Sequence, residues 1–229
     1  MGIKERQVRD REAVRRAILD AARELFVSEG YQNISIRKIA ERIEYSPAAI
    51  YGYFASKDDI FFALAEEGFR LLGDPAAPHN QARFEGLAPL DRVRAVFWRL
   101  YEFSRDHPQY FALMFVDRSV PRIGREYERF AFAREMKRHI VAEIQACIDH
   151  GQLPAALNPA GAMRMLTVGL LGVAVMRLSE RLAPTENADQ LAADVLRVTL
   201  AGLQSGVVLE STVTIECPVD ERITNAQAS

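Results

Sequence analysis

One stretch constrains this chain more than any other: residues 35–57, SIRKIAERIEYSPAAIYGYFASK. It reads as two very short helices joined by a tight turn, with a third helix following at once. Ser35 is placed to cap the first helix, and Ile36, Ile39, Ala40 and Ile43 give it an apolar stripe at helical spacing. The turn falls on Glu44 and Tyr45. Ser46 is then an N-cap, followed by Pro47 at the first helical position, where a missing N–H costs nothing. Ile50 and Phe54 direct the second helix inward. Ser56 and Asp59 form a capping box that opens the third. A helix–turn–helix of this kind has the shape needed to place one helix end in a DNA major groove.

Together with the helix before it, this stretch resembles the DNA-binding domain of the TetR/AcrR family of bacterial transcription regulators. The matching residues are Ala21 to Phe26, Gly30–Tyr31, Ser35 to Ala40, Ser46–Pro47, Ile50 to Phe54, and Lys57. They cover roughly the first quarter of the chain. Beyond Leu72 the resemblance is architectural only. Two positions depart from the family pattern, which has Gly where Glu44 and Ala48 stand. A non-Gly residue in the left-handed region costs on the order of 1 kcal/mol, so an altered turn or a small local strain is expected at Glu44.

The resemblance implies an all-α fold: an N-terminal three-helix helix–turn–helix domain followed by a helical ligand-binding and dimerisation domain. The boundaries read as 1–57 for the N-terminal arm and DNA-binding domain, 58–208 for the effector and dimerisation domain, and 209–229 for an extended or flexible tail. It also places Ser35, Arg37, Tyr45, Ser46, Pro47, Ala49, Tyr51, Tyr53 and Lys57 on the surface that faces DNA. Free N–H groups at helix starts suit phosphate oxygens, Tyr51 and Lys57 are read as phosphate contacts, and Arg37 has the fork to read guanine. Tyr45 and Tyr53 have a second reading, as packing in a small three-helix core.

The charge distribution fits a DNA reader although the total does not. The 229 residues carry a net charge of −2. Residues 1–57 hold 11 Lys/Arg against 8 Asp/Glu, a net of +3, and the remainder holds 18 against 23, a net of −5. Six basic and three acidic residues fall within residues 1–16. Hydrophobic content of 49% supports a real core. Neither a membrane-length apolar run nor a signal peptide stands out in the sequence, so a cytoplasmic protein is expected. Cys147 and Cys217 are too few for a disulfide framework or a zinc site, and Cys147 reads as a buried, inert thiol.

Gly and Pro punctuate a sequence with almost no strand signal. Helices are expected over 10–29, 57–72, 90–105, 108–116, 121–150, 158–181 and 185–208, the last capped by Thr185, with a connection over 73–89. In the tail, Val213, Ile215 and Cys217 alternate with polar residues in a strand-like pattern. The middle helices are dense in aromatic and Met side chains, which suits an apolar cavity. Phe97, Trp98, Tyr101, Phe111, Met114, Phe115, Tyr127 and Phe130 are the candidate wall, with Met136 nearby, and Arg134 and His139 the polar anchors; each is also readable as an ordinary core residue. Gly161, Met165, Gly169, Gly172, Leu191, Val195 and Val198 lie on two helices apolar on more than one face. They are expected to form a four-helix homodimer contact.

Signatures of catalysis are missing: no HExxH, P-loop or GxSxG occurs, and no Glu precedes a His by three. Glu135, His139 and Glu143 share a helix face and read as an ion-pair ladder rather than a metal site. No metal or cofactor is expected. The reading is therefore a homodimeric regulator, a repressor, released from a palindromic operator by a small apolar or aromatic effector. Two rivals remain: a constitutive DNA-binding regulator without an effector, and a helical-bundle enzyme or carrier.

Overall fold

Helix formation begins at the very start of the chain. The computed structural model describes residues 2–73, 84–117 and 131–211, and every regular element among them is helical. Helix α1 spans Ile3–Glu29, so the expected N-terminal arm is not loose chain but about two further turns of the same helix. The Gly2 N–H donates to Glu5 Oε2 at 3.0 Å, which satisfies one of the free donors at the helix start. Ile18, Leu19, Ala21, Ala22 and Leu25 are its buried stripe. Gly30, at φ 72°, ends it.

A 3₁₀ turn, Tyr31–Asn33, leads into α2 (Ile36–Arg42), α3 (Pro47–Tyr51) and α4 (Lys57–Gly73). Ile39, Ala40, Ile50, Phe54, Ile60 and Phe61 close a small core against α1. Tyr31 meets Phe61 edge-on, with centroids 5.0 Å apart. Ser56 caps α4 as the spacing predicts, the Asp59 N–H donating to Ser56 Oγ at 3.2 Å, but the return bond to Asp59 Oδ2, at 2.8 Å, comes from the Ser56 hydroxyl rather than from its backbone N–H.

Helix α4 begins in this core and ends in the second one, where Phe69 packs edge-on against Phe115 and Leu72 is buried. The second core is built by α5 (Pro89–Asp106), α6 (Pro108–Phe111), a π-helical turn (Ala112–Val116), α7 (Ala131–Asp149), α8 (Pro159–Leu178) and α9 (Ala188–Gln204). Helix α8 packs on α5, α7 and α9, its broadest contact being with α9. Cys147 is fully buried, as expected, and burial raises its thiol pKa.

Three expectations need amending. The last helix is capped by Asn187, not Thr185: its side chain accepts the Gln190 N–H at 3.0 Å, and the helix stops at Gln204, before Gly206 at φ 83°. Helix α8 stops at Leu178 rather than near residue 181. Helix α8 is also long and apolar enough, by length and composition alone, to cross a membrane, contrary to the expectation from sequence. Here 44% of its apolar window is buried within the protein, against the helices just named. Tyr127, Phe130, Cys217, most of the 73–89 connection and the tail from 212 onward lie outside the described residues.

Candidate DNA-reading surface and effector cavity

The turn between α2 and α3 is a left-handed helix stop. The Tyr45 N–H donates to Ala40 O at 2.9 Å and the Glu44 N–H to Glu41 O at 3.3 Å, a Schellman pattern with Glu44 at φ 58° in the position usually held by Gly. The expected strain is therefore realised, and the turn keeps its shape. Ala48, the other departure, lies inside α3 on the surface.

Ser35 Oγ accepts the Lys38 N–H and Ser46 Oγ the Ala49 N–H, each at 3.2 Å, and Pro47 is the first residue of α3. Both serines act as caps while remaining exposed. Tyr45 is 45% and Tyr51 57% exposed, so neither belongs to the core, and Pro47 stands out beside them with Ala49 half-buried. Arg37 extends into solvent and pairs with Glu41 at 2.7 Å, which raises its pKa further. Tyr53 behaves differently. It is half-buried beneath the Arg11 guanidinium, 5.6 Å from its ring centroid.

Lys57 meets surroundings that the phosphate reading does not foresee. Its ammonium donates to Tyr31 O and Ile34 O, each at 3.0 Å, and sits 3.9 Å from the Tyr31 ring centroid. Burial lowers its pKa despite nearby Asp58. The side chain staples α4 to the end of the 3₁₀ turn. The Tyr31 hydroxyl, whose pKa burial raises, donates to Asp58 one residue on.

In the second domain a cavity of about 630 Å³ opens between α4, α5, α7 and α8. Of the expected wall residues, Phe97, Phe115 and His139 line it, as does Met136. Trp98, Tyr101, Phe111, Met114 and Arg134 do not. Trp98 and Tyr101 lie on the other side of α5, rings 5.3 Å apart, and the Tyr101 hydroxyl donates to Asp189 of α9 at 2.7 Å. Burial first, and that bond second, push Tyr101 up to about 12. Met114 faces α4, where a Cβ on Gly68 would lie 2.4 Å from its sulfur.

Sequence reasoning missed the charged wall residues Arg99, Lys137, Arg164, Glu85 and Glu143. Arg99 is partly engaged, donating to Leu71 O at 3.1 Å and standing 3.8 Å from Asp106. Glu143 accepts from Arg92 at 2.7 Å, with His139 at 3.9 Å and Glu135 paired to Arg138. Both carboxylates of the expected ladder thus pair with arginines outside the trio, and only His139 and Glu143 approach each other within it. Among the described residues no cluster of three or more His, Cys, Asp or Glu is arranged to hold a metal.

A polar cluster joins the two domains. The Tyr110 hydroxyl on α6 donates to Glu67 Oε1 of α4 at 2.7 Å and accepts from Arg23 of α1 at 2.8 Å. Arg16 of α1 donates to the same Glu67 oxygen at 2.8 Å. Burial leads in raising the Tyr110 pKa, with Glu67 next.

The expected dimer residues divide. Gly169 packs inward, since a Cβ there would lie 2.8 Å from Val195 Cγ1 of α9. Gly161 is buried, and a Cβ there would lie 3.2 Å from Leu209. Gly172 has open space, and with Val168, Met176 and Val198 (67% exposed) it marks an outward apolar face. Met165, Leu191 and Val195 are half-buried at its margins.

Comparison with known proteins points one way. A family model described as bacterial regulatory proteins, tetR family, matches residues 18–64, and one described as tetracyclin repressor-like, C-terminal domain, matches residues 93–199. The HTH-type transcriptional repressor Rv1474c of Mycobacterium tuberculosis is 46% identical over 24% of this chain and 29% of its own length. The HTH-type transcriptional regulator RutR of Escherichia coli is 32% identical over 42% of this chain and 44% of its own length. The chain thus spans under half the length of these curated relatives. A solved TetR/AcrR-family regulator from Thermobifida fusca is 27% identical, with a TM-score of 0.58, over 83% of this chain and 98% of its own. FadR of Bacillus subtilis, solved with stearoyl-CoA, shares the fold at a TM-score of 0.66 and 16% identity, over 81% of this chain and 97% of its own.

Proposed function

The chain belongs to the TetR/AcrR family of bacterial transcriptional regulators, and we propose that it is a homodimeric, cytoplasmic DNA-binding repressor released from a palindromic operator by a small effector. One observation carries the reading. Helix α4 has its first turns in the core behind the recognition helix, and its last residues, Leu72 and Gly73, in the cavity wall. A ligand that shifts that wall shifts the reading head. Both half-sites are engaged only when the two recognition helices stand about one helical turn apart, 34–36 Å. An effector that favours another separation releases DNA by population shift.

The DNA-facing surface is Ser35, Arg37, Tyr45, Ser46, Pro47, Ala49 and Tyr51. Tyr53 and Lys57 act from behind it, holding α1, α4 and the 3₁₀ turn in place. Helix α3 offers no Arg, Lys, Asn or Gln, so base reading rests on apolar contact with thymine methyls, on Tyr hydroxyls and on Arg37. The outward face around Gly172 and Val198 is the dimer contact.

The effector has an apolar body and an acidic group. Leu72, Phe97, Phe115, Met136, Ile140 and Met163 supply the apolar wall. Arg99, Lys137 and Arg164 supply three cations against two wall carboxylates, Glu85 and Glu143, the latter paired with Arg92. An anion buried beside an unopposed carboxylate would be badly solvated, and these cations remove that cost. The test is selection of bound sequences from random DNA, followed by release of the selected DNA with apolar acids. The expected result is a palindrome and a releasing acid. Selected DNA without two-fold symmetry, or binding by a chain that stays monomeric, overturns the reading.

A further inference from the structure

The matched DNA-binding domain begins at residue 18, yet helix α1 begins at Ile3. The preceding turns lie outside the matched segment. They are strongly basic: Lys4, Arg6, Arg9, Arg11, Arg15 and Arg16 against three acidic residues.

The extension is fixed to the reading head. Arg11 donates to Gly52 O, at the C-terminal cap of the recognition helix, at 3.4 Å, and stacks over Tyr53. Arg15 lies over Phe54, 5.3 Å from its ring centroid. Beyond this anchor the helix stands clear of the domain. Val8, in helical phase with Arg11 and Arg15, is 68% exposed, and Arg6 and Arg9 are exposed with no ion-pair partner among the described residues. Glu5 is occupied by the Gly2 N–H, and Glu12 stands 3.7 Å from Arg15. Residues 2–10 hold three basic residues (Lys4, Arg6, Arg9) against two acidic ones (Glu5, Asp10), a net of +1, and Arg6 and Arg9 are the exposed guanidinium groups there without an ion pair among the described residues.

We propose that these turns of α1 are a second DNA-contacting element, whose Arg6 and Arg9 hold backbone phosphates outside the base pairs read by α3. The proposal rests on the DNA-binding reading given above. From Arg11 to Ile3 the helix reaches about 12 Å, at 1.5 Å per residue, or some three to four base-pair steps. Because it is helical and anchored, its charges are positioned before binding and lose little freedom on contact. Phosphate contacts carry no base information, so this element adds affinity for every sequence alike and lengthens the protected site.

The test uses the full chain, its selected operator with and without flanking duplex, and binding measured across a salt series. Arg6→Gln with Arg9→Gln should weaken selected and random DNA by the same factor. It should lower the salt slope by about 0.9 for each phosphate no longer neutralised. Trimming the flanks should weaken the parent and leave the double variant unchanged. Arg6→Lys with Arg9→Lys should restore the slope, which a mere folding defect would not allow. Equal slopes for parent and Gln variant, or equal sensitivity to trimming, would overturn the proposal alone. A parent that binds no DNA at low salt would overturn it together with the reading beneath it.

Discussion

The two domains use polar groups in opposite ways. In the N-terminal domain several close a local backbone need: Ser35, Ser46 and Ser56 cap helices, and Lys57 binds two carbonyls. What remains exposed there includes Tyr45, Pro47 and Tyr51. In the C-terminal domain charges instead surround an apolar hollow of about 630 Å³. The contrast teaches where the molecule tolerates change. The core behind the reading head buries Ile39, Ile50, Phe54, Ile60 and Phe61, so truncating one of them removes packing that no neighbour supplies. The cavity wall already lacks packing partners on one side.

The largest effect of this difference is expected in the cores. Phe61 is fully buried among Phe26, Tyr31 and α4 neighbours. Phe61→Ala should cost about 3–5 kcal/mol in urea unfolding. Phe97, equally hidden from solvent, borders the cavity, so Phe97→Ala should cost less, at the low end of that range, about 3 kcal/mol, while changing effector potency. A reversed order would mean that the cavity closes up in the free protein and that the contrast between the domains fails.

Next in size is Lys57. Removing an ammonium that holds two carbonyls should cost about 1–3 kcal/mol, the range for leaving buried acceptors unpaired. Lys57→Ala should therefore lower thermal stability and leave the salt slope of DNA binding close to the parent's. A slope reduced by about 1 per half-site, with stability intact, would return Lys57 to the phosphates.

How much is legible in the sequence follows the same division. Caps and stripes are local, so Ser35, Ser46, Pro47, the Ser56 cap and the α1 stripe can be read directly. The cavity wall cannot. Phe97 and Trp98 are neighbours in sequence but point about 100° apart on α5, and only the packing of α7 and α8 decides which one meets the hollow. Arg99, Lys137 and Arg164 look like solvated helix residues until three helices bring them together. The cap of α9 is legible too, because Asn is a stronger N-cap residue than Thr and Gln190 follows Asn187 by three, so Thr185 is a misreading of a local signal.

The α8–α9 pair sharpens the comparison with a difference inside one helix. Gly169→Ala places a methyl 2.8 Å from Val195 and should destabilise the protomer by about 1–3 kcal/mol without changing its assembly. Gly172→Arg enters open space. It should leave the protomer fold intact and split the dimer, with operator affinity falling accordingly. Light scattering beside circular dichroism separates the two, and a dimer unaffected by Gly172→Arg would place the interface elsewhere.

Alkaline pH probes the polar ties of the second core. The Tyr101 pKa is raised, to about 12. A group whose folded pKa exceeds its unfolded value of about 10 supplies stability that is complete below pH 10 and lost as pH rises toward 12. Tyr101→Phe should be less stable at neutral pH, because the bond to Asp189 is gone, and should show a shallower decline between pH 10 and 12. A decline as steep as the parent's would assign alkaline unfolding to other groups, Tyr110 and Tyr31 first.

The smallest effect tests the helix stops. Helices α7 and α9 end with Gly151 and Gly206 at positive φ, whereas α2 and α8 end with Glu44 at φ 58° and Glu180 at φ 55°. The hydrogen bonds match in kind: Arg181 N–H donates to Met176 O at 2.9 Å and Gln152 N–H to Cys147 O at 2.8 Å. Only the side chain differs. Glu180→Gly should gain at most about 1 kcal/mol, because the relief of the left-handed strain is partly offset by the greater freedom of glycine in the unfolded chain. Glu44→Gly should gain the same stability, and because Glu44 is exposed between α2 and α3 it should also remove a negative charge from the DNA side. Operator affinity should then rise modestly for Glu44→Gly and stay fixed for Glu180→Gly. Equal affinities for both variants would place Glu44 away from the phosphates and restrict the DNA-facing surface to the α3 side of the turn.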